Sequence, residues 1–445
     1  MSRFPLSSPQ QLWCSGDQGD HAGFFAGGFV MATALRITGP IDVAALQGAL
    51  DDLVRRHEIL RTVVARTDEP YQEVHEAAPV PLVVRDVPAD RPGSRDEIAE
   101  ELLNEAERST LDPRRVPQLR AVLSRFDAGD AVLALITHHT GADEWSNRVL
   151  VRDLAATYRA RVTGTEAALP PVPQYRDFAA AQRAAADGPD GETAAKFWRE
   201  KLSGVQIFAV PTDREVPERH HEPYSASNFV VDRDVMRAVG ELAAEARTDV
   251  PTVLLAAFNV LVHAIAGTTD QAIDTLTTGR TDPRFDDTVG PVMNFVVLRT
   301  DLARCLSYRD VVAATRDVCL ETYANEIPIQ HIERAVPELM QPNDEPRKTN
   351  CIVGVFPRPS GAGTPRIADG CTEIYKRPSV SPIGPWIPHG VAWGMHPHPS
   401  GELSGCVQFN AEDLDADTVS GWTGEYQRIL AAMATDPGRS WTAPR

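Results

Sequence analysis

The run Ala131-Val132-Leu133-Ala134-Leu135-Ile136-Thr137-His138-His139-Thr140-Gly141-Ala142-Asp143-Glu144-Trp145-Ser146 decides how the chain is read. Its first half is apolar and rich in branched residues, which predicts a buried strand. Two adjacent histidines close it. A few residues on, helical spacing carries Trp145, Val149, Leu150, Leu154 and Tyr158 inward. The pair therefore sits where a core strand gives way to a loop, a place where a rigid scaffold holds working side chains. Neighbours on a strand point to opposite faces. If His138 faces as Ile136 does, His139 faces the other way, so one imidazole serves the structure while the other enters a cavity. Both are catalytic candidates, and His139, nearer the loop, leads. An imidazole titrating near neutrality takes a proton from an amine or alcohol at physiological pH. Asp143 is placed to orient the loop or to pair with a cation. Strand neighbours diverge and the local carboxylate lacks His-Glu-x-x-His spacing, so no metal is expected.

Working outward, 445 residues exceed one typical core and predict two domains. A formal net charge of −18 argues against a general nucleic-acid or anionic-membrane binder. Six cysteines (Cys14, Cys305, Cys319, Cys351, Cys371, Cys406) lack C-x-x-C spacing and read as reduced core residues. The N-terminus has no apolar signal core, and no window of about 18 apolar residues occurs. The expectation is a cytoplasmic protein without membrane or nucleic-acid partners.

In chain order, Ser8-Pro9 reads as N-cap and first helical residue, Phe29 to Ile37 as a strand, and Asp42 as the cap of a helix carrying Leu46, Leu50, Leu53 and Val54. Ser94-Arg95-Asp96-Glu97 is a capping box, and Asp127-Ala128-Gly129-Asp130 a hairpin connector into the histidine strand. Gly188-Pro189-Asp190-Gly191 reads as a helix break. The domain division is placed at 1–178 and 179–445. Beyond it, helices and strands alternate: Asp232–Ala246 and Pro251–Ala266 helical, Ala272–Thr278 a strand ending in Gly279-Arg280, then strands at Cys351–Phe356, Val391–His396 and Gly405–Asn410. Pro357–Gly370 reads as a loop. His220-His221 reads as solvated, and His396-Pro397-His398 lacks a third metal ligand. No nucleotide-binding glycine loop and no G-x-S-x-G is present.

Several segments in order resemble the condensation domains of nonribosomal peptide synthetases: Leu6-Ser7-Ser8-Pro9-Gln10-Gln11-Leu12-Trp13, Arg56-His57-Glu58-Ile59-Leu60-Arg61-Thr62, His138-His139-Thr140-Gly141-Ala142-Asp143, Tyr175-Arg176-Asp177-Phe178, Val289 to Arg299, and Ile327-Pro328-Ile329. The resemblance implies an α/β (α+β) fold of two chloramphenicol-acetyltransferase-like lobes in a V-shaped pseudo-dimer with a central tunnel. It implies that His139 acts as base or positioning group on a thioester carried by a peptidyl carrier protein's phosphopantetheine, with no cofactor bound to the chain itself. It implies that Asp143 is mainly structural and pairs with Arg280. Three departures stand out. Glu144 replaces the usual glycine, ahead of Trp145 and Ser146. Met293-Asn294-Phe295 replaces Val-Asn-Thr. Pro388-His389-Gly390-Val391 replaces a Phe-Asp-Leu entry. Glu144, Trp145, Ser146, Asn294 and His389 are the tunnel candidates.

No adenylation motif or carrier attachment site is found. The expected activity is that of a free-standing condensation enzyme, transferring an acyl group from a carrier protein in trans to an amine or alcohol acceptor in secondary metabolism. The alternative is a non-catalytic module that recruits a carrier protein or tailoring enzyme. An epimerising relative is disfavoured by its usual setting within a synthetase. A heterocyclising relative would carry aspartates at the histidine pair.

Overall fold

The protein is described by a computed structural model over residues 2–21, 23–217, 220, 224–356, 366–374, 390–398 and 400–442. Its first elements are β1 (Ser2–Phe4), α1 (Ser8–Ser15), β2 (Val30–Thr38), α2 (Val43–Arg56), β3 (Thr62–Ala65), β4 (Tyr71–Val74), β5 (Leu82–Asp86), α3 (Arg95–Glu107), β6 (Leu119–Asp127), β7 (Asp130–His138), α4 (Glu144–Thr163) and α5 (Tyr175–Ala186). There follow α6 (Pro189–Lys201), β8 (Ala209–Pro211), β9 (Tyr224–Val231), α7 (Arg233–Glu245), α8 (Val250–Ala266), β10 (Asp270–Thr277), β11 (Asn294–Asp301), α9 (Tyr308–Ala324), α10 (Ile329–Ala335), β12 (Lys348–Val355), β13 (Gly370–Glu373), β14 (Val391–Pro397), β15 (Leu403–Asn410) and α11 (Ala416–Thr435).

The chain divides into two compact units: Met1–Ala184 with Thr278–Met293 and Ser360–Lys376, and Ala185–Thr277 with Asn294–Pro359 and Arg377–Arg445. A linear division at 178/179 lacks the two returns to the first unit. Those returns depend on long-range partners that local composition does not reveal. One is an ion pair made by Arg280; the other is β13, which pairs antiparallel with Leu35–Thr38 of β2.

In the first unit a five-stranded sheet runs β13-β2-β7-β6-β5, beside a small sheet β1-β4-β3. Strand alternation sorts β7 cleanly. Ala131, Leu133 and Leu135 pack with Leu46, Leu50 and Leu53 of α2 and Leu150 and Leu154 of α4. Val132, Ala134 and Ile136 pack with Ile98, Leu102 and Leu103 of α3. Both faces are thus buried, as the unbroken apolar run requires. In the second unit the order is β11-β10-β12-β14-β15-β9, with β8 pairing with β12. Ile273, Leu298, Val353, Trp393 and Val407 from one face pack with α7, α8, α9 and α11.

Three local readings are corrected. The cap of α1 is Ser7, not Ser8. Its hydroxyl accepts from Gln10 N (3.3 Å) while Gln10 Oε1 accepts from Ser7 N (3.1 Å), so the capping box starts the helix one residue earlier. The helix break read at Gly188-Pro189-Asp190-Gly191 follows the end of α5 at Ala186, but the next helix opens within it: Gly188 is the N-cap and Pro189 the first residue of α6. The loop expected over 357–370 ends in a strand, because Gly370 opens β13; residues 357–365 lie outside the described residues. Among the described residues, no single helix is long and apolar enough to cross a membrane.

Candidate active site

β7 delivers His138 as its last residue, and His139 follows it out of the strand. His138 is fully buried and His139 is 4 % exposed. Their ring nitrogens differ in what they meet. His138 Nε2–H donates to Ala26 O (3.0 Å), while Nδ1 accepts from Thr140 N (3.2 Å) and lies 2.8 Å from Thr140 Oγ1. A second proton on Nδ1 would break these contacts. Burial, with a smaller push from the neighbouring His139, accordingly pulls the His138 pKa down to about 4. Proposed from sequence as a catalytic candidate beside His139, His138 has no ring nitrogen free for a substrate.

His139 Nδ1–H donates to Ala142 O (2.8 Å), which fixes the tautomer and leaves a lone pair on Nε2. No partner meets Nε2 among the described residues. Phe29 stacks on the ring at 4.7 Å and Trp13 meets it edgewise at 5.5 Å. Burial holds the imidazole below its ordinary pKa, so it is neutral at physiological pH.

Asp143 caps α4, but it is also the hub of the loop. Its Oδ1 accepts from Ser146 N (2.7 Å), Ser146 Oγ (2.6 Å) and Arg280 Nη2 (3.3 Å). Its Oδ2 accepts from Arg280 Nη1 (3.0 Å), Val292 N (3.0 Å) and Met293 N (3.1 Å). Burial raises the Asp143 carboxyl, but the Arg280 charge and the hydrogen bonds from Arg280 and Ser146 outweigh it and hold the group below its ordinary value. Arg280 is itself 2 % exposed and also donates to Thr278 O and Thr288 O. His139 turns to Ala142 rather than to Asp143, so these two residues form no acid–base dyad.

The other candidates fall in different places. Ser146 is buried; its hydroxyl accepts from Gly290 N (2.9 Å), and its single proton has Asp143 Oδ1 and Gly290 O within reach, so it is no nucleophile. Glu144 lies 3.6 Å from Arg148 one turn along α4. Trp145 donates its indole N–H to Asp286 O (2.8 Å) and lies under the Arg280 guanidinium. Asn294 belongs to the second unit. There its Nδ2 donates to Glu326 Oε1 (3.0 Å) and Ile327 O (2.9 Å) and its Oδ1 accepts from Ile329 N (3.3 Å), an internal clamp. His389 and His221 lie outside the described residues. His220 is corrected from solvated to paired: it meets both oxygens of buried Asp413 at 2.9 Å, and that bond raises its pKa. Among the described residues no group of three His, Cys, Asp or Glu side chains is placed to hold a metal.

Sequence reasoning quoted Trp13, Arg56, His57 and the 289–293 stretch as landmarks without seeing their work. Arg56 Nε (2.7 Å), His57 Nε2 (3.0 Å) and Arg152 Nε (2.9 Å) surround the fully buried Asp153, tying α2 to α4. Burial opposes ionisation of Asp153, but the His57, Arg152 and Arg56 contacts bring its pKa down to about 2. Gly290, with φ +146, lies flat against Tyr175: a Cβ there would sit 2.1 Å from the ring. Tyr175 in turn donates to Pro291 O (2.9 Å).

The Condensation domain family matches residues 3–346, and the chain belongs to that family, which serves nonribosomal peptide biosynthesis. A probable non-canonical nonribosomal peptide synthetase of Salinispora arenicola, CymA, is 32 % identical over 415 residues. The match covers 91 % of this chain and 5 % of that synthetase, so the chain spans a small part of that relative. Among solved structures, the SgcC5 protein of Streptomyces globisporus, in complex with (R)-(-)-1-(2-naphthyl)-1,2-ethanediol and sucrose, is 35 % identical with a TM-score of 0.92, covering 98 % of this chain and 100 % of that one. The X-domain of teicoplanin biosynthesis, solved in complex with OxyB, is 25 % identical with a TM-score of 0.75, covering 99 % of this chain and 95 % of that one.

Proposed function

We propose that the chain transfers an acyl group from the phosphopantetheine thioester of a separate carrier protein to a soluble alcohol or amine, with His139 as the catalytic residue. The carrying observation is that Nδ1 of His139 is tied to Ala142 O while Nε2 keeps its lone pair. The acceptor's O–H or N–H donates to Nε2. As its oxygen or nitrogen attacks the thioester carbon, the proton passes to the imidazole. The tetrahedral intermediate then collapses, the C–S bond breaks, and the imidazolium returns its proton to the leaving thiolate, giving an ester or amide and free thiol. A neutral imidazole is the required starting state, and burial supplies it. The aryl diol held by the SgcC5 protein supports an alcohol acceptor, and so an ester, ahead of an amine.

The test is product formation from an acyl-loaded carrier and an aryl diol, with unaltered protein and His139→Ala. General-base catalysis contributes roughly 10²–10⁴-fold, so the variant loses turnover on that scale when assayed where it remains folded, although loss of the Ala142 bond and of the packing on Phe29 lowers its denaturation midpoint. Full turnover by the variant removes His139 from the mechanism. A protein that binds loaded carrier but yields no product with any acceptor favours the recruitment reading.

A further inference from the structure

The two histidines rest on one stretch of the first unit, Phe25–Phe29. Ala26 O accepts from His138 Nε2 (3.0 Å) and from Phe29 N (2.9 Å), and Phe29 O accepts from His139 N (2.9 Å). The Phe29 ring stacks on the His139 imidazole at 4.7 Å. Trp13, edge-on to the same imidazole, joins Phe25 and Phe29 in a small buried cluster. With Nδ1 of His139 tied to Ala142 O, the tilt of the ring, and so the aim of Nε2, is set by these aromatic faces.

The chain leading into this stretch is held from outside by ions. Among the described residues, the backbone of 19–21 and 23–25 makes no hydrogen bond to a neighbouring element. Arg66, just past β3, reaches across instead. Its Nη1 donates to both oxygens of Asp17 (2.9 and 3.0 Å), its Nη2 donates to Asp20 Oδ1, and its guanidinium lies over the Phe25 ring at 4.7 Å. Arg114 takes the other oxygen of Asp20 and also pairs with Asp112. The Arg66 hydrogen bond is the main reason the Asp20 carboxyl lies below its ordinary pKa. One planar, five-donor group thus grips two carboxylates and a ring face, which the single ammonium of a lysine does not reproduce. The Arg66 side chain is 20 % exposed and those of Asp17 and Asp20 27 % and 33 %, so the clamp is open to water and salt.

We propose that Arg66 is a positioning residue for His139: by drawing Asp17, Asp20 and Phe25 together it sets the Phe25–Phe29 support, and so aims Nε2 without touching substrate. The effect on turnover rests on the acyl-transfer reading; the effect on the support does not. Exposed ion pairs contribute little to global stability, whereas a misplaced catalytic group loses rate steeply, so the two are separable by measurement.

The test compares the full chain with Arg66→Gln and Arg66→Lys. With a saturating acyl-loaded carrier and an aryl diol, Arg66→Gln lowers kcat about 10-fold with KM for the diol unchanged, and Arg66→Lys recovers part of the loss. Raising salt from about 0.1 to about 1 M shortens the screening length from about 10 to about 3 Å. It lowers kcat of the unaltered protein toward that of Arg66→Gln and changes the variant less. In amide hydrogen exchange, Phe29 and His139 exchange about 10-fold faster in Arg66→Gln, while the amides of the second unit keep their rates. A kcat that falls only in step with the unfolded fraction, with Phe29 and His139 exchanging as before, overturns the proposal. If product forms at equal kcat with and without Arg66, positioning fails and acyl transfer stands. If the two amides loosen in Arg66→Gln while no carrier yields product with either protein, the clamp on the support stands and acyl transfer falls.

Discussion

The loop at 138–146 and the segment at 17–25 hold their polar side chains in opposite ways. In the loop, Asp143 accepts six hydrogen bonds, Ser146 and Arg280 are bonded several times over, and both nitrogens of His138 are engaged. Among the described residues, what is left over there is Nε2 of His139, beside the indole N–H of Trp13, and Nε of Arg280. In the segment, Asp17 and Asp20 are held by Arg66 and Arg114, and all four side chains are partly exposed. A group saturated within the protein is there to hold a shape, because any change to it leaves a buried partner unpaired. An exposed pair costs little to remove and answers to salt, because water and ions already compete for both partners.

The largest expected effect lies at the hub. Asp143→Ala leaves the Arg280 guanidinium buried without its counter-ion, which costs about 3–5 kcal/mol. Urea denaturation reads this directly, and a loss under about 1 kcal/mol would show that the loop is not saturated in the way its distances imply. Because the loop also carries His139, turnover of this variant falls along with its stability. The His139→Ala variant separates the two effects.

Acidification tests the same contrast through His138. Its folded pKa of about 4 lies below the ordinary value of 6.5. Between those values the unfolded chain holds a proton that the folded one does not, so unfolding is favoured as pH falls. The stability contributed by the neutral ring is complete above about pH 6.5, declines toward pH 4 and is then level, a change of about 3 kcal/mol. Buried His57 and His139, both held below their ordinary values, act in the same direction. The pH dependence of the unfolding free energy measures the sum, and His138→Gln should flatten the slope over that range. An unchanged slope would contradict a neutral, fully bonded His138.

The smallest effect belongs to Glu144. Its partner Arg148 lies 3.6 Å away on the same helix, and both are partly exposed. Such pairs are worth about 0.3–0.5 kcal/mol. Glu144→Ala should therefore shift the denaturation midpoint very little, and a large loss would place the carboxylate in contacts beyond Arg148.

Local pattern determined much of this protein. The apolar run 131–137, the caps Asp42 and Ser94, and the buried helix beginning near Pro251 all follow from spacings of a few residues, so they were legible as strand and helix. The order of motifs was legible too, and with it the family and the histidine pair. What tertiary structure alone decided is where each ring nitrogen and carboxylate points. Ala26 lies 112 residues from His138, Arg280 lies 137 from Asp143, and Val292 lies 149 from Asp143. Hydrogen bonds across such separations leave no periodic trace in the chain. The same holds for the clamp on the histidine support: Arg66 lies 49 residues from Asp17 and 46 from Asp20, and only the folded first unit brings them together.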